Sequence, residues 1–288
     1  MNFDLSICDY LVITGSKLYG YSTPESDTDL RGFYLPPLTE LLSVNPFKQW
    51  SSPTEDTQIY SLHKYLRDLQ RGNMQLLELL FVDIDTPQRL QSAPVGTHII
   101  FNSSKLVSMK HISSALGFAQ AEWRKVRCVN EVIKFASKSQ EDIIKELQGK
   151  FQLDSVQIRE IYDIIFASRE DDPRQEVSGV DKLGERRLKE YQQYGYCPKS
   201  AAHCLRLLGE ALELLDSGRL TFPRQNAVYL KSVRDGKVGF NEIEQKYHEL
   251  EQLVLLKRNS GSYYLASKIS DDIINRLIME SYEIKYAA

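Results

Sequence analysis

A β-branched apolar run, Leu11 to Thr14, ends at Gly15-Ser16, and the acids Asp27 and Asp29 then open a second run that Pro36-Pro37 stops. This arrangement constrains the fold more than any other stretch. The first run predicts a buried strand followed by a turn. Gly15 lets the backbone approach a ligand, and the amides after it, with the Ser16 hydroxyl, can bind phosphate oxygens. Asp29 to Leu35 predicts the second strand. Alternation along it turns Asp27 and Asp29 to one face, where two carboxylates repel unless a cation lies between them. Hard oxygen ligands beside phosphate fit a divalent metal, Mg²⁺ first. Arg31 falls on the same face and is placed to hold one carboxylate. Taken singly, Gly-Ser is common and Asp-x-Asp usually marks a solvated turn with a cap. The signal lies in their order between two strands.

The first hundred residues continue as mixed α/β. Thr57 to Tyr60 predicts a third strand, Ser61 a helix N-cap, and Leu62 to Arg71 a helix that Gly72 closes. Met74 to Phe81 reads as a further helical, mostly apolar segment. From about Ser103 helical spacing dominates, through Lys105–Gln120, Glu122–Ser137, Ser139–Gln148 and Ser155–Ala167, with Arg169 to Leu183 read as a loop. Pro198 to Leu215, Phe240 to Lys257 and Asp271 to Glu283 complete the helices, the last capped by Ser270. The fold class is therefore α+β. The expected division is 1–102, a small domain on a mixed sheet, and 103–288, a helical domain packed closely against it.

Composition narrows the function classes. Lys plus Arg number 36 against 39 Asp plus Glu, a net charge of −3, so a wholly basic nucleic-acid binder is excluded while a local basic patch is allowed. No apolar run reaches the ~18 residues of a membrane span, and Met1 to Ser6 lacks the basic start and apolar core of a signal peptide. Cys8, Cys128, Cys197 and Cys204 form no CxxC pair. The expectation is a reduced, cytoplasmic protein with no membrane partner. Cys197, His203 and Cys204 match no common zinc spacing and read as packing residues.

Three cationic side chains stand at helical spacing within Pro198–Leu215: Lys199, His203 and Arg206, at i, i+4 and i+7. Such a row is unfavourable unless an anion meets it, and a triphosphate or a nucleic-acid backbone would do so. The bland reading is a solvated basic stripe with a packed histidine. Glu78 stands in an apolar helix, and a structural ion pair is the favoured account, ahead of a contact to the site. Trp123-Arg124-Lys125-x-Arg127 reads first as a solvated helix face and second as a nucleic-acid patch; Arg186-Arg187 is weaker still.

The chain resembles the DNA polymerase β-like nucleotidyltransferase superfamily, through the strand, Gly15-Ser16, and Asp27-x-Asp29 entering a second strand. The wider pattern resembles one branch, the predicted nucleotidyltransferases associated with RNA ligases and RNA repair. It comprises Gly15-Ser16-x-x-Tyr19-Gly20, Ser26-Asp27-x-Asp29-x-Arg31-Gly32, Ser61-Leu62-x-Lys64-Tyr65-Leu66 and Gly72-Asn73-x-x-x-Leu77-Glu78-Leu79-Leu80. The helix of Lys199, His203 and Arg206 resembles the corresponding helix of that branch. Met74 departs from a proline common there.

The resemblance implies a third carboxylate on a neighbouring strand. Asp56 is the first candidate, Glu55 the fallback, and Asp83 with Asp85 the weakest. It further implies transfer of a nucleotidyl group from ATP or another nucleoside triphosphate to a hydroxyl, with pyrophosphate leaving. Two Mg²⁺ or Mn²⁺ ions, about 3.5–4 Å apart in such sites, would be held by Asp27, Asp29 and Asp56. Asp56 would also be the general base, Gly15 and Ser16 would position the triphosphate, and Lys199, His203 and Arg206 would offset its charge. The acceptor implied is an RNA end, with a protein partner and a small molecule as alternatives. A non-catalytic nucleotide- or RNA-binding module is the competing class.

Overall fold

The computed structural model describes residues 3–136, 190, 193–261 and 263–287, with the backbone alone for Lys125 and 127–136. The segments expected at 139–148, 155–167 and 169–183, and Arg186-Arg187, lie outside the described residues. The architecture is α+β. A five-stranded sheet has the order β3-β4-β2-β1-β5, built from β1 (Tyr10–Thr14), β2 (Asp29–Tyr34), β3 (Gln49–Ser51), β4 (Thr57–Ser61) and β5 (Arg89–Ser92). β2 and β4 run parallel and every other neighbouring pair is antiparallel, so the sheet is mixed. The edge strands β3 and β5 escape a sequence reading because they are short and polar, and pairing alone makes them strands.

Register decides which residues share a face. Tyr10 lies opposite Phe33, Val12 opposite Arg31 and Thr14 opposite Asp29. Tyr10, Val12 and Phe33 belong to the main core, whereas Leu11, Tyr34 and Ile59 form a small cluster on the other face with Cys8. Asp29 and Arg31 therefore point to the helix-covered side.

Local rules build the helices on that side. After β1 the chain turns into α1 (Gly15–Tyr19), a single turn of helix. A four-residue helix, α2 (Leu38–Leu41), follows β2. In α3 (Leu62–Gln70) the Ser61 hydroxyl accepts the Lys64 N–H, and Leu62, Tyr65, Leu66 and Leu69 are buried at i, i+3, i+4 and i+7. Gly72, at φ +93°, ends the turn; a Cβ there would stand 2.8 Å from the Lys110 carbonyl oxygen, so the chain packs closely against the next long helix. Asn73 caps α4 (Met74–Glu78), and α5 (Pro94–Phe101) follows β5.

The stretch expected as two helices, Lys105–Gln120 and Glu122–Ser137, is one continuous helix, α6 (Met109–Ala136). α7 (Pro198–Ser217) packs along α6 and α9 (Phe240–Ser260), and α8 (Ala227–Arg234) packs on α7. α10 (Asp271–Tyr286), capped by Ser270, returns to α5 and α3. A single cluster of buried apolar side chains runs from Tyr10 and Phe33 in the sheet through Leu205 and Leu208 to Leu277. Sheet and helices thus share a core. Among the described residues no helix is long and apolar enough to cross a membrane.

Candidate active site

Antiparallel pairing of β1 and β2 puts the end of the first strand beside the start of the second. Thr14 lies opposite Asp29, and its hydroxyl donates to the Asp29 carbonyl oxygen at 3.3 Å. The chain then turns at Gly15, φ +66°. A Cβ on Gly15 would fall 1.7 Å from Asp29 Oδ2. Only glycine lets this carboxylate lie against the turn, and its positive φ is strained for any other residue.

Parallel pairing of β2 with β4 brings Asp56, the residue before β4, to the same end of the sheet. The Asp56 carbonyl accepts the Leu30 N–H at 2.9 Å and Arg31 Nη1 at 2.8 Å. Its Oδ1 accepts Arg31 Nη2 at 2.7 Å. Arg31 does hold a carboxylate, and the one it holds is Asp56. Glu55, Asp83 and Asp85 are exposed, and none of them lines the cavity in which Asp56 stands.

The carboxyls of Asp29 and Asp56 are in hydrogen-bond contact. Burial, followed by the neighbouring Asp56, pushes Asp29 up to about 6. Burial pushes Asp56 upward too. Its hydrogen bonds with Asp29 and Arg31, and the charges of Arg31 and Lys199, outweigh that, and Asp56 is held below the usual carboxylate range. Each carboxyl shifts the other in opposite directions, and Asp56 is the more readily ionised of the two.

Asp27 stands two residues before β2 begins and is exposed, so strand alternation does not place it beside Asp29. It still lines the cavity, of about 640 Å³, that also holds Gly15, Ser16, Asp29 and Asp56. Lys199 and His203, from α7, line it as well.

Arg206 stands apart from Lys199 and His203 in the row expected to meet an anion. It lines the same cavity but is 2% exposed, and its Nη1 is 2.6 Å from both Glu78 Oε1 and Glu210 Oε1. The guanidinium stacks 4.0 Å over the Tyr19 ring, and the Tyr19 hydroxyl donates to Glu78 Oε2 at 2.7 Å. Its charge is balanced by protein carboxylates, which accounts for Glu78 as well. Burial pushes Glu210 up to about 7 even with Arg206 beside it.

The cation that sequence reasoning misses is Arg234, at the end of α8. It lines the cavity with its guanidinium 5.7 Å from the Tyr21 ring centre, and it has no acidic partner among the described residues. No motif marks it, and only tertiary packing brings it to the site. Trp123 is buried and stacks on Tyr247 with ring centres 4.3 Å apart; it is a core residue with no face free for a base.

Among the described residues no three His, Cys, Asp or Glu side chains stand together as a finished metal site. Cys204 is buried, and the Cys197 thiol donates to Glu190 at 3.5 Å. The donor set nonetheless suits a hard divalent cation: two carboxylates are in contact, a third lines the same cavity, and all are oxygen donors.

A Gly-Ser turn after β1, one carboxylate at the start of its neighbour β2 and another just before β4 on the far side of β2, on a mixed sheet walled by helices, define a nucleotidyltransferase-like site of the DNA polymerase β kind. The comparison with known families narrows this class. The model of the RNA repair pathway DNA polymerase beta family matches residues 6–283, and the chain belongs to that family. An uncharacterized 38.9 kDa protein from the nrdC-mobD intergenic region of Enterobacteria phage T4 is 22% identical over 329 residues. The match takes in 94% of this chain and 97% of the phage protein. No solved structure matches the chain.

Proposed function

We propose that this protein transfers a nucleotidyl group from a nucleoside triphosphate to a hydroxyl at an RNA end, releasing pyrophosphate. One observation carries the reading. A single cavity is lined by the Gly15-Ser16 turn, by Asp27, Asp29 and Asp56, and by Lys199 and Arg234 from the helical region. Family membership supports the RNA-repair setting.

In this mechanism the Ser16 hydroxyl and the amides of the turn hold the triphosphate, with Lys199 and Arg234 offsetting its charge. His203 adds a ring nitrogen in the same cavity. The acceptor oxygen attacks the α-phosphorus, the bond from that phosphorus to the bridging oxygen of the β-phosphate breaks, and pyrophosphate leaves. Asp56, held ionised by Arg31, takes the hydroxyl proton. Arg206 positions rather than binds: it ties α7 to Tyr19, three residues beyond Ser16. Asp27, Asp29 and Asp56 are the residues that would hold Mg²⁺ or Mn²⁺, which when bound supplies charge neutralisation on the phosphates and makes the hydroxyl easier to ionise.

The test is incubation with each labelled nucleoside triphosphate and Mg²⁺ or Mn²⁺, with and without total RNA. Label should enter RNA, and Asp27→Ala combined with Asp29→Ala should abolish it. Unchanged transfer by that double variant refutes the mechanism. Tight nucleotide binding with no transfer to RNA, protein or small molecule would instead mark a binding module.

A further inference from the structure

The cavity does not end at α7. A second cavity, of about 460 Å³, opens beside it, and Gln75, His203 and Arg206 line both. Its volume is within the ~300–1,000 Å³ of small-ligand sites. Met74 and Leu207, each 3% exposed, contribute an apolar floor. The rim carries Phe118, 60% exposed on α6. It also carries Arg71, whose side chain is 69% exposed and 3.3 Å from Asp68.

The charges around this space are nearly balanced. Asp68 pairs with Lys64 at 2.5 Å as well as with Arg71, and Arg206 is held between Glu78 and Glu210. A triphosphate finds little to bind here. An apolar floor with an open aromatic ring at its mouth suits a flat, uncharged π group. Arg71, loosely held at the rim, suits one phosphate outside it. Gln75 is exposed at the junction, has no hydrogen-bond partner among the described residues, and presents both a donor and an acceptor.

We propose that this second cavity is the acceptor subsite and receives the terminal nucleoside of a single-stranded RNA. Its base stacks on Phe118, the preceding phosphate meets Arg71, and the ribose turns past Gln75 through the shared opening toward the carboxylates. This rests on the nucleotidyl-transfer reading, whose acceptor it specifies.

The variants Phe118→Ala, Phe118→Trp and Arg71→Ala alter exposed side chains outside the nucleotide site. Binding of a 5′-labelled oligoribonucleotide is read by anisotropy without nucleotide, and acceptor KM in the transfer assay. Phe118→Ala should weaken binding and raise acceptor KM roughly 5- to 150-fold, the range for loss of one base–aromatic stack. Arg71→Ala should weaken binding and reduce the slope of log K against log salt by about one. Phe118→Trp should keep binding and show fluorescence quenching on top of the signal of Trp50 and Trp123. Affinity for the nucleoside triphosphate should be the same in all. If the wild type binds RNA through Phe118 but transfers nothing to it, the reaction reading fails and the subsite stands. If it transfers nucleotide to RNA with a KM that neither alanine variant moves, the subsite fails and the reaction stands. A wild type that binds no oligonucleotide, or a protein acceptor whose labelling depends on Phe118, also overturns the subsite.

Discussion

Replacing Arg206 with Met separates a buried structural cation from a phosphate ligand. The side chain is 2% exposed and sits 2.6 Å from each of two carboxylates that are themselves almost wholly buried. Removing it leaves Glu78 and Glu210 facing each other in the core, and breaking a buried pair in this way costs about 3–5 kcal/mol. In chains of 150–250 residues each kcal/mol moves Tm by about 2–4 °C, so Arg206→Met should lower Tm by roughly 6–20 °C. Adding Glu78→Gln and Glu210→Gln removes the stranded charges and should restore at least half of that loss. Thermal melts by circular dichroism at neutral pH give the shift. Nucleotide binding by calorimetry, well below the melt, gives the second readout, in which Lys199→Ala should weaken the triphosphate more than Arg206→Met does. If Arg206→Met melts within a few degrees of the wild type and loses more nucleotide affinity than Lys199→Ala, phosphate rather than Glu78 and Glu210 is its partner, and the reasoning is refuted.

Other perturbations follow from the same geometry. Gly15→Ala should lower transfer at least tenfold and lower Tm by roughly 2–8 °C. The positive φ costs about 1–2 kcal/mol, while the new Cβ displaces the Asp29 carboxylate from Asp56. Asp56→Asn should lower kcat by about 10²–10⁴ if it is the general base, whereas Glu55→Gln should leave kcat within about twofold, both read by label transfer. His111 is fully buried, and its Nδ1 accepts the Ser108 N–H at 3.2 Å. Burial lowers its pKa to about 4. Between that value and 6.5 the unfolded chain binds the proton more tightly, so stability rises with pH across the window. Acidification from pH 6.5 to 4 should cost about 3 kcal/mol through this group. Urea titrations of wild type and His111→Gln at several pH values in that window measure the difference in slope.

The site lies where β1 ends and β2 and β4 begin because two kinds of pairing meet there. The antiparallel turn-back brings Asp29 to Gly15, and the parallel crossover through β3 brings Asp56 to Arg31. Both contacts follow from register, which the apolar alternation of Tyr10, Val12 and Phe33 against the helices fixes.

Elements whose signals are local can be read from the amino-acid order alone. β1, β2 and β4 are apolar runs with clear stops, and α3 and α10 have serine caps at the expected residue. α7 shows its buried stripe in plain spacing. The Gly-Ser turn and the Asp pair were legible because their chemistry requires them close in the chain. Asp56 was legible only through resemblance, since no local rule joins it to Asp29.

Depth and distant partners were decided by the tertiary structure alone. Lys199, His203 and Arg206 share an azimuth on α7, which spacing gives. Spacing does not say that the helix runs from the cavity mouth into the core, leaving Lys199 exposed and Arg206 enclosed by carboxylates. Glu78 and Arg206 meet across 128 positions of chain, and Arg234 reaches the site from a helix with no motif. Periodicity reports direction around an axis; only packing sets how deep a charge lies and which opposite charge it meets there.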